Sequence, residues 1–515
     1  MEASMLEANP PKTFGATTVA FTIVVWLILG HFVLQEYGFG RSIIVAGIAV
    51  MLFVGASLFR VEGSQFFFVL VVFFCSHFLF RNENGGLWNY FSFAIGGSYL
   101  VFHRSRTHPR ARWTFSKVLV LAIVAQNIVG WLVYNPMPPI VITEGAITFL
   151  GYVVMYFICR DLQMTPERVR WVFLTVCALG IWILFVCLNQ RFELLRINTP
   201  LLGLYGGETA TGEFVQFSRH RCMGTFGHYE LLGEYSTLMT MLLIPLVSSR
   251  FSRKNLRLPL FLLNLIVLAF LIIIILSETR SSVILVCIGV CAYMALFPVL
   301  RIGAIDDRRG FVILMAIVVI SVASLWDVIG GEYLWRRLSE IDVGSTSLSS
   351  IESGETLNRY AAYSVGVERI GQMDWIFGFG SGIPESNRMA WFGPRGSNFE
   401  DFHSLYLSLP PLYGWLGAAG FVLLVAVTAG RCFRASIEYR REVHYLQPLC
   451  LGMAVLWVMF LINEYKINIT RLANYQMMIW IWLGLTDAVV STIDNDLRAE
   501  TVDSLTEADM REESL

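Results

Sequence analysis

Of 515 residues, 56% are hydrophobic and only 15% are charged, with a formal net charge of −1. Soluble domains carry about 45–50% apolar and about 25% charged residues. This balance therefore excludes a soluble enzyme, a disulfide-stapled secreted module and a disordered chain. At about 20 residues per crossing, the apolar content suffices for about fourteen transmembrane helices, and so small a net charge makes no electrostatic case for nucleic-acid binding.

In chain order, apolar runs fall at 14–34, 42–59, 65–80, 87–102, 115–134, 144–159, 171–188, 229–247, 258–276, 282–297, 310–326, 405–429, 448–463 and 475–490. The first follows only Lys12 and lacks a small-residue cleavage site, so it reads as a retained span. With the N-terminus cytoplasmic, the short loops bearing arginine and lysine all fall on the cytoplasmic side. They carry Arg60; Arg104, Arg106, Arg110 and Arg112; Arg160, Arg168 and Arg170; Arg250, Arg253, Lys254 and Arg257; Arg301, Arg308 and Arg309; and Arg431, Arg434, Arg440 and Arg441. The opposite short loops hold almost none. The expected fold class is all-α: a polytopic transmembrane bundle of about 14 spans, both termini cytoplasmic, with a large external loop containing helices.

Two external segments are long, 189–228 and 327–404. Long connections without regular structure are uncommon and usually functional when ordered. Within the second, 356–371 (TLNRYAAYSVGVERIG) reads as an external amphipathic helix. These features divide the chain into N-terminal spans (1–188), a central region (189–429), C-terminal spans (430–490) and an acidic cytoplasmic tail (491–515), expected to be partly disordered. No internal repeat is evident.

The nine cysteines form no C-x-x-C pair, and most lie in apolar runs, Cys287 and Cys291 among them, where they read as small core hydrophobes. The histidines lack metal-ligand spacing, so neither a metal nor a cofactor is expected. His31, His77 and His103 read as packing or interface residues. Pro410-Pro411 is expected to break or kink the helix at the start of the twelfth run.

Three places set polar residues against apolar helix ends on the external side: 219–236 (RHRCMGTFGHYELLGEYS), 276–285 (LSETRSSVIL) and 396–417 (GSNFEDFHSLYLSLPPLYGWLG). By position alone, Arg280 between two apolar spans is open to two readings, a side chain snorkelling to headgroups or a functional cation. His403 is equally open between an interface residue and a catalyst. The Gly-rich 378–382 stretch has no strand–helix unit around it and reads as a turn, not a dinucleotide loop.

The order and spacing of these segments resemble the O-antigen ligase / polysaccharide polymerase superfamily of bacterial membrane glycosyltransferases. SETRSS at 277–282 is similar to its "T-x-S-R" turn, and Arg221, Gly224 and Phe226 to the segment leading into the preceding span, with His228-Tyr229 in place of the usual Pro-Asn. Arg359 in LNRYAAYSVGVERI, followed by WIFGFGSG (375–382), resembles the arginine helix and "lfGvGpG" loop. FHSLYLSLPPLYGWLG (402–417) resembles the "H-N-x-Y-L" segment, with Ser404 in place of Asn. The likeness covers about 219–427, and the loop charges independently put Arg221, Arg280, Arg359 and His403 on one face.

The resemblance implies a GT-C-like enzyme of the bacterial inner membrane, its site facing the periplasm. It would transfer glycan from an undecaprenyl-diphosphate-linked donor to an acceptor saccharide, either a lipid-linked repeat or lipid A-core, with other polysaccharide-assembly proteins as partners. His403, Arg280 and Arg359 are the catalytic candidates, and Arg221, Glu400 and Asp401 the substrate-binding ones. Guanidinium groups grip phosphate oxygens bidentately and stay charged at any physiological pH. A histidine titrates near the operating pH and so suits a general base. The rival class is a lipid-linked glycan transporter, which should show mid-span charges and repeated halves; a membrane scaffold is a third reading.

Overall fold

The computed structural model describes residues 63–78, 114–134, 139–192, 222–226, 229–300, 404–438, 444–465 and 473–513, with single positions within 92–99 and 312–378. Every regular element among them is helical. They are α1 (Ser64–Phe78), α2 (Phe115–Tyr134), α3 (Pro139–Arg160), α4 (Pro166–Phe192), α5 (Tyr229–Val247), α6 (Arg250–Leu256), α7 (Leu260–Ser277), α8 (Arg280–Leu300), α9 (Leu405–Glu438), α10 (Gln447–Asn463) and α11 (Ala473–Glu513). Six of the described helices (α4, α5, α7, α8, α9 and α11) are long and apolar enough to cross a membrane, and shorter apolar stretches occur in α1, α2, α3 and α10. Ten of the fourteen expected spans thus coincide with helices. The runs at 14–34, 42–59, 87–102 and 310–326 lie outside the described residues or are touched only at single positions.

The bundle is built around α5, every residue of which from Glu230 to Val247 is buried. It packs on α7, α8 and α10, while α11 packs on α3 and α9 on both α2 and α10. Lipid supplies no hydrophobic drive between helices, so close approach depends on small residues. A Cβ on Gly452 of α10 would fall 2.7 Å from the Leu242 carbonyl oxygen of α5, and one on Gly484 of α11 would fall 2.5 Å from that of Tyr156 in α3.

Helix ends follow local chemistry. Ser249 caps α6 by accepting from the Ser252 N–H at 3.1 Å. Arg253 then folds back and donates to the carbonyls of Leu246 and Val247 at the end of α5. A cation is well placed there, against the negative pole of the helix. Pro259 precedes α7, whose apolar run stops at Glu278 in the left-handed region (φ 52°).

One end of the bundle holds Arg160, Arg431 and a buried ion cluster. Asp487 of α11 lies between Arg431 (2.6 Å) and Arg160 (3.3 Å) and accepts from the Tyr156 hydroxyl at 2.6 Å. Arg160 also donates to Thr114 at 2.8 Å. The Met164 N–H donates to Thr492, and the Tyr445 hydroxyl to the Met164 carbonyl. Arg160, Arg431 and the connections at 161–165 and 444–446 therefore share one end.

Three expectations are corrected. The acidic tail, expected to be partly disordered, is helical: α11 runs on to Glu513. At 41 residues it is about 60 Å long by helical rise, twice the hydrocarbon thickness, so its last turns project beyond the basic end. Cys287 and Cys291 are exposed on α8, not buried in the core. The helix also continues through Pro410 and Pro411, and the break comes at Gly414 (φ 70°, ψ 171°), a conformation open to glycine.

Candidate active site

The opposite end holds described parts of the sequence motifs. Ser277, Glu278 and Thr279 link α7 to α8, and Arg280 is the first residue of α8. Arg280 is half-buried, while Ser277, Glu278, Thr279, Ser281 and Ser282 around it are buried. An arginine is electrostatically misplaced at the positive pole of a helix. Its charge and the first N–H groups of α8 together make this helix start favourable for an anion. The Ser281 and Ser282 hydroxyls are buried there without a hydrogen-bond partner among the described residues.

The turn is held on three sides. Thr279 Oγ1 donates to the Tyr229 carbonyl (3.2 Å) at the start of α5, and to the Ser277 carbonyl. Thr237 of α5 contacts the Ser282 carbonyl at 3.4 Å. The Cys222 N–H donates to the Leu276 carbonyl at 3.0 Å, which brings the segment after Arg221 onto the end of α7. That segment is in turn gripped by Gln190 of α4. Its Oε1 accepts from the N–H groups of Met223 (3.0 Å) and Gly224 (2.9 Å), and its Nε2 donates to the Gly224 carbonyl (3.0 Å).

The third motif reaches the same end through α9. The Leu405 N–H donates to the Glu464 carbonyl at 2.9 Å, and the Tyr406 hydroxyl to the Leu461 carbonyl at 2.5 Å, so the start of α9 is fastened to the end of α10. At the far end of this short first stretch, Gly378 packs against the break in α9. A Cβ there would strike the Gly414 nitrogen and lie 2.5 Å from the carbonyl carbon and oxygen of Leu412. Gly378, the described residue of the glycine-rich stretch, is therefore a wedge against the helix that follows His403 in sequence.

Glu230, Glu234 and Glu278, three carboxylates on this end, are all buried. Glu278 Oε1 lies 3.9 Å from Arg191 Nη1. Glu234 faces the Tyr475 hydroxyl of α11, with Glu464 close to the same group. Among the described residues, no group of His, Cys, Asp and Glu is arranged to hold a metal.

Residues 265–422 match a family model described as O-antigen ligase. That segment is similar to the O-antigen ligase family. No curated protein matches the chain. The matched segment begins inside α7, includes the turn at 277–280 and all of α8, and ends within α9 past Gly414. With six described helices long and apolar enough to cross a membrane, the match supports a multi-pass membrane protein similar to enzymes of the O-antigen ligase/polymerase type.

Of the site residues expected from sequence, the described residues include Arg280. Arg221, Arg359, Glu400, Asp401 and His403 lie outside the described residues, although Cys222 and Ser404, the neighbours of Arg221 and His403, are at the motif end. Gln190, Arg191 and the Glu234–Tyr475 contact were not foreseen. Gln190 and Arg191 close an apolar helix and carry no local signal, and the Glu234–Tyr475 pairing joins residues far apart in the chain.

Proposed function

We propose that this protein is a periplasm-facing glycosyltransferase that moves a glycan from an undecaprenyl-diphosphate-linked donor to an acceptor saccharide. The observation that carries the proposal is the start of α8. Arg280, the helix N-terminus and two buried serine hydroxyls converge there inside the O-antigen ligase match. A sugar chain on a lipid diphosphate presents two negative charges at the membrane surface, and this arrangement suits them.

In the proposed step the acceptor hydroxyl oxygen attacks the anomeric carbon. The bond from that carbon to the diphosphate oxygen breaks, and the diphosphate leaves with the electron pair. His403 takes the hydroxyl proton, and Glu400 and Asp401 beside it orient the imidazole or raise its basicity. Arg280, with Arg359 and Arg221, neutralises the charge that develops on the leaving group, which is where preorganised donors have most effect. This assigns to guanidinium groups the work a metal performs elsewhere.

Of the two acceptors, a second lipid-linked repeat is the one proposed. The expected fourteen-span pattern and the long external segment 327–404 favour a polymerase over a ligase acting on lipid A-core. Purified protein incubated with lipid-diphosphate-linked repeat units should extend the chains. Transfer only when lipid A-core is supplied would convert the proposal to a ligase, and no transfer to either acceptor would reject it.

A further inference from the structure

The last turn of α4 reaches two separate connections. Gln190 satisfies three backbone groups of the non-helical segment 222–226 with one amide, at 2.9–3.0 Å. Its neighbour Arg191 points to a different turn, where Nη1 lies 3.9 Å from Glu278 Oε1. The two turns are themselves stitched together by Cys222 N–H to Leu276 carbonyl, and Cys222 Sγ lies 3.2 Å from the Cys187 carbonyl in α4. None of these α4 residues belongs to the matched segment 265–422.

Glu278 sharpens the argument. It occupies the left-handed region (φ 52°, ψ 32°) at the end of α7, where glycine or asparagine is the usual choice. A buried glutamate in that conformation has both backbone strain and desolvation against it. Local stability alone would favour glycine here. This glutamate stands there in spite of both, and it lies next to Arg191 in a turn that ends on Arg280.

We infer that Gln190 and Arg191 are positioning residues for glycan transfer, Gln190 setting the turn that follows Arg221 and Arg191, through Glu278, setting the turn that presents Arg280. The inference rests on the function proposed above. Two arginines acting on one diphosphate must keep a fixed separation, and a single helix end that grips both turns supplies it. A misplacement of about 1 Å costs on the order of 10²-fold in rate.

The test measures kcat, donor KM and thermal midpoint on the purified full chain with lipid-diphosphate-linked repeats. Gln190→Leu should lower kcat/KM on the order of 10²-fold, and Gln190→Glu, which keeps the two accepted bonds, should recover most of it. Added to Arg221→Ala, Gln190→Leu should cause no further loss, because residues acting as one unit are not additive. Glu278→Gly should leave the midpoint unchanged or raised while transfer falls as it does in Arg280→Lys. A merely structural role would move the midpoint and the rate together. Wild-type kcat/KM in Gln190→Leu, or losses that multiply with Arg221→Ala, overturns the inference; should Gln190→Leu not fold, wild-type transfer in Glu278→Gly does so. The controls separate the two levels. Arg221→Ala and Arg280→Lys at wild-type rate reject the function itself and this inference with it, whereas their inactivity beside active Gln190→Leu and Glu278→Gly rejects the inference alone.

Discussion

Gly233 of α5 lies so close to Ser282 of α8 that a Cβ on Gly233 would fall 2.6 Å from the Ser282 hydroxyl oxygen. The same Cβ would be 3.0 Å from Ser277 Oγ and 3.0 Å from Thr279 Cβ. The central helix therefore meets the Arg280 turn through a residue with no side chain, and nothing larger fits without moving that turn.

Gly233→Ala separates stability from function. The serine oxygens can rotate aside, but Thr279 Cβ cannot, so the turn must shift. Overpacking of this kind costs about 1–3 kcal/mol, while replacing glycine within a helix returns about 1 kcal/mol. The thermal midpoint in detergent should fall by only a few degrees, and transfer should fall roughly 10²-fold. Unchanged transfer would show that the turn's position does not matter.

The Asp487 cluster at the basic end should behave in the opposite way. Asp487→Ala leaves Arg160, only 5% exposed, and Arg431 without their shared carboxylate. Removing one partner of a buried pair costs about 3–5 kcal/mol, so thermal stability in detergent should drop sharply. Asp487 is twelve residues along α11 from Tyr475, about 18 Å by helical rise. The folded fraction should therefore keep the wild-type donor KM, and a selective rise in KM would contradict the assignment of the two ends.

A pH dependence of stability should come from His444, in the connection between α9 and α10. Burial holds its pKa below the usual 6.5, against the opposing pull of Asp496 at 3.2 Å. A histidine whose folded pKa is depressed favours the folded state when neutral. Its contribution is full above about pH 6.5, declines as pH falls through that value, and is gone below the folded pKa. Melting measured from pH 7.5 to 5 should show the midpoint falling, and His444→Gln should flatten that part of the curve. An identical curve in the variant would assign the effect to other groups.

Ten of the apolar runs, and the sharing of one end by Arg160, Arg431 and the connections beside them, were legible in the sequence, because lipid imposes one long helix per apolar run and loop charge sorts the ends. What could not be read depends on contacts between distant residues. The break at Gly414 was expected at Pro410-Pro411, because proline removes helix donors. The helix passes through both prolines, and the chain turns aside where Gly378 presses on the backbone. The acidic tail has the composition of a solvated segment yet continues α11, a cooperative extension that composition does not report. Gln190 is one amide at the end of an apolar helix, and only its three bonds to the 222–226 segment reveal its role.

Arg280→Lys tests the anion site directly. Lysine keeps the charge and loses the planar fork, so transfer should fall steeply with normal membrane insertion and a near-normal midpoint. A side chain that merely snorkels would tolerate the exchange. Near-wild-type glycan production from Arg280→Lys in a deletion strain would return Arg280 to that role.

The last prediction concerns His403, on which the proposed proton transfer depends. His403→Ala should retain donor-lipid binding, because the arginines and not the histidine hold the diphosphate. Its transfer rate should fall on the order of 10²–10⁴-fold, the usual contribution of a positioned acid–base group. Wild-type rate should also decline as pH drops through the titration of this imidazole, since only the neutral ring accepts a proton. That profile is best recorded in the His444→Gln background, where loss of stability at low pH does not imitate loss of the base. Chelators should leave the rate unchanged if guanidinium groups neutralise the leaving diphosphate. Strong EDTA inhibition reversed by Mg²⁺ or Mn²⁺ would replace them with a metal in that role. Ordinary turnover in His403→Ala would move the base to Glu230, Glu234 or Glu278, which the fold buries at the same end of the bundle.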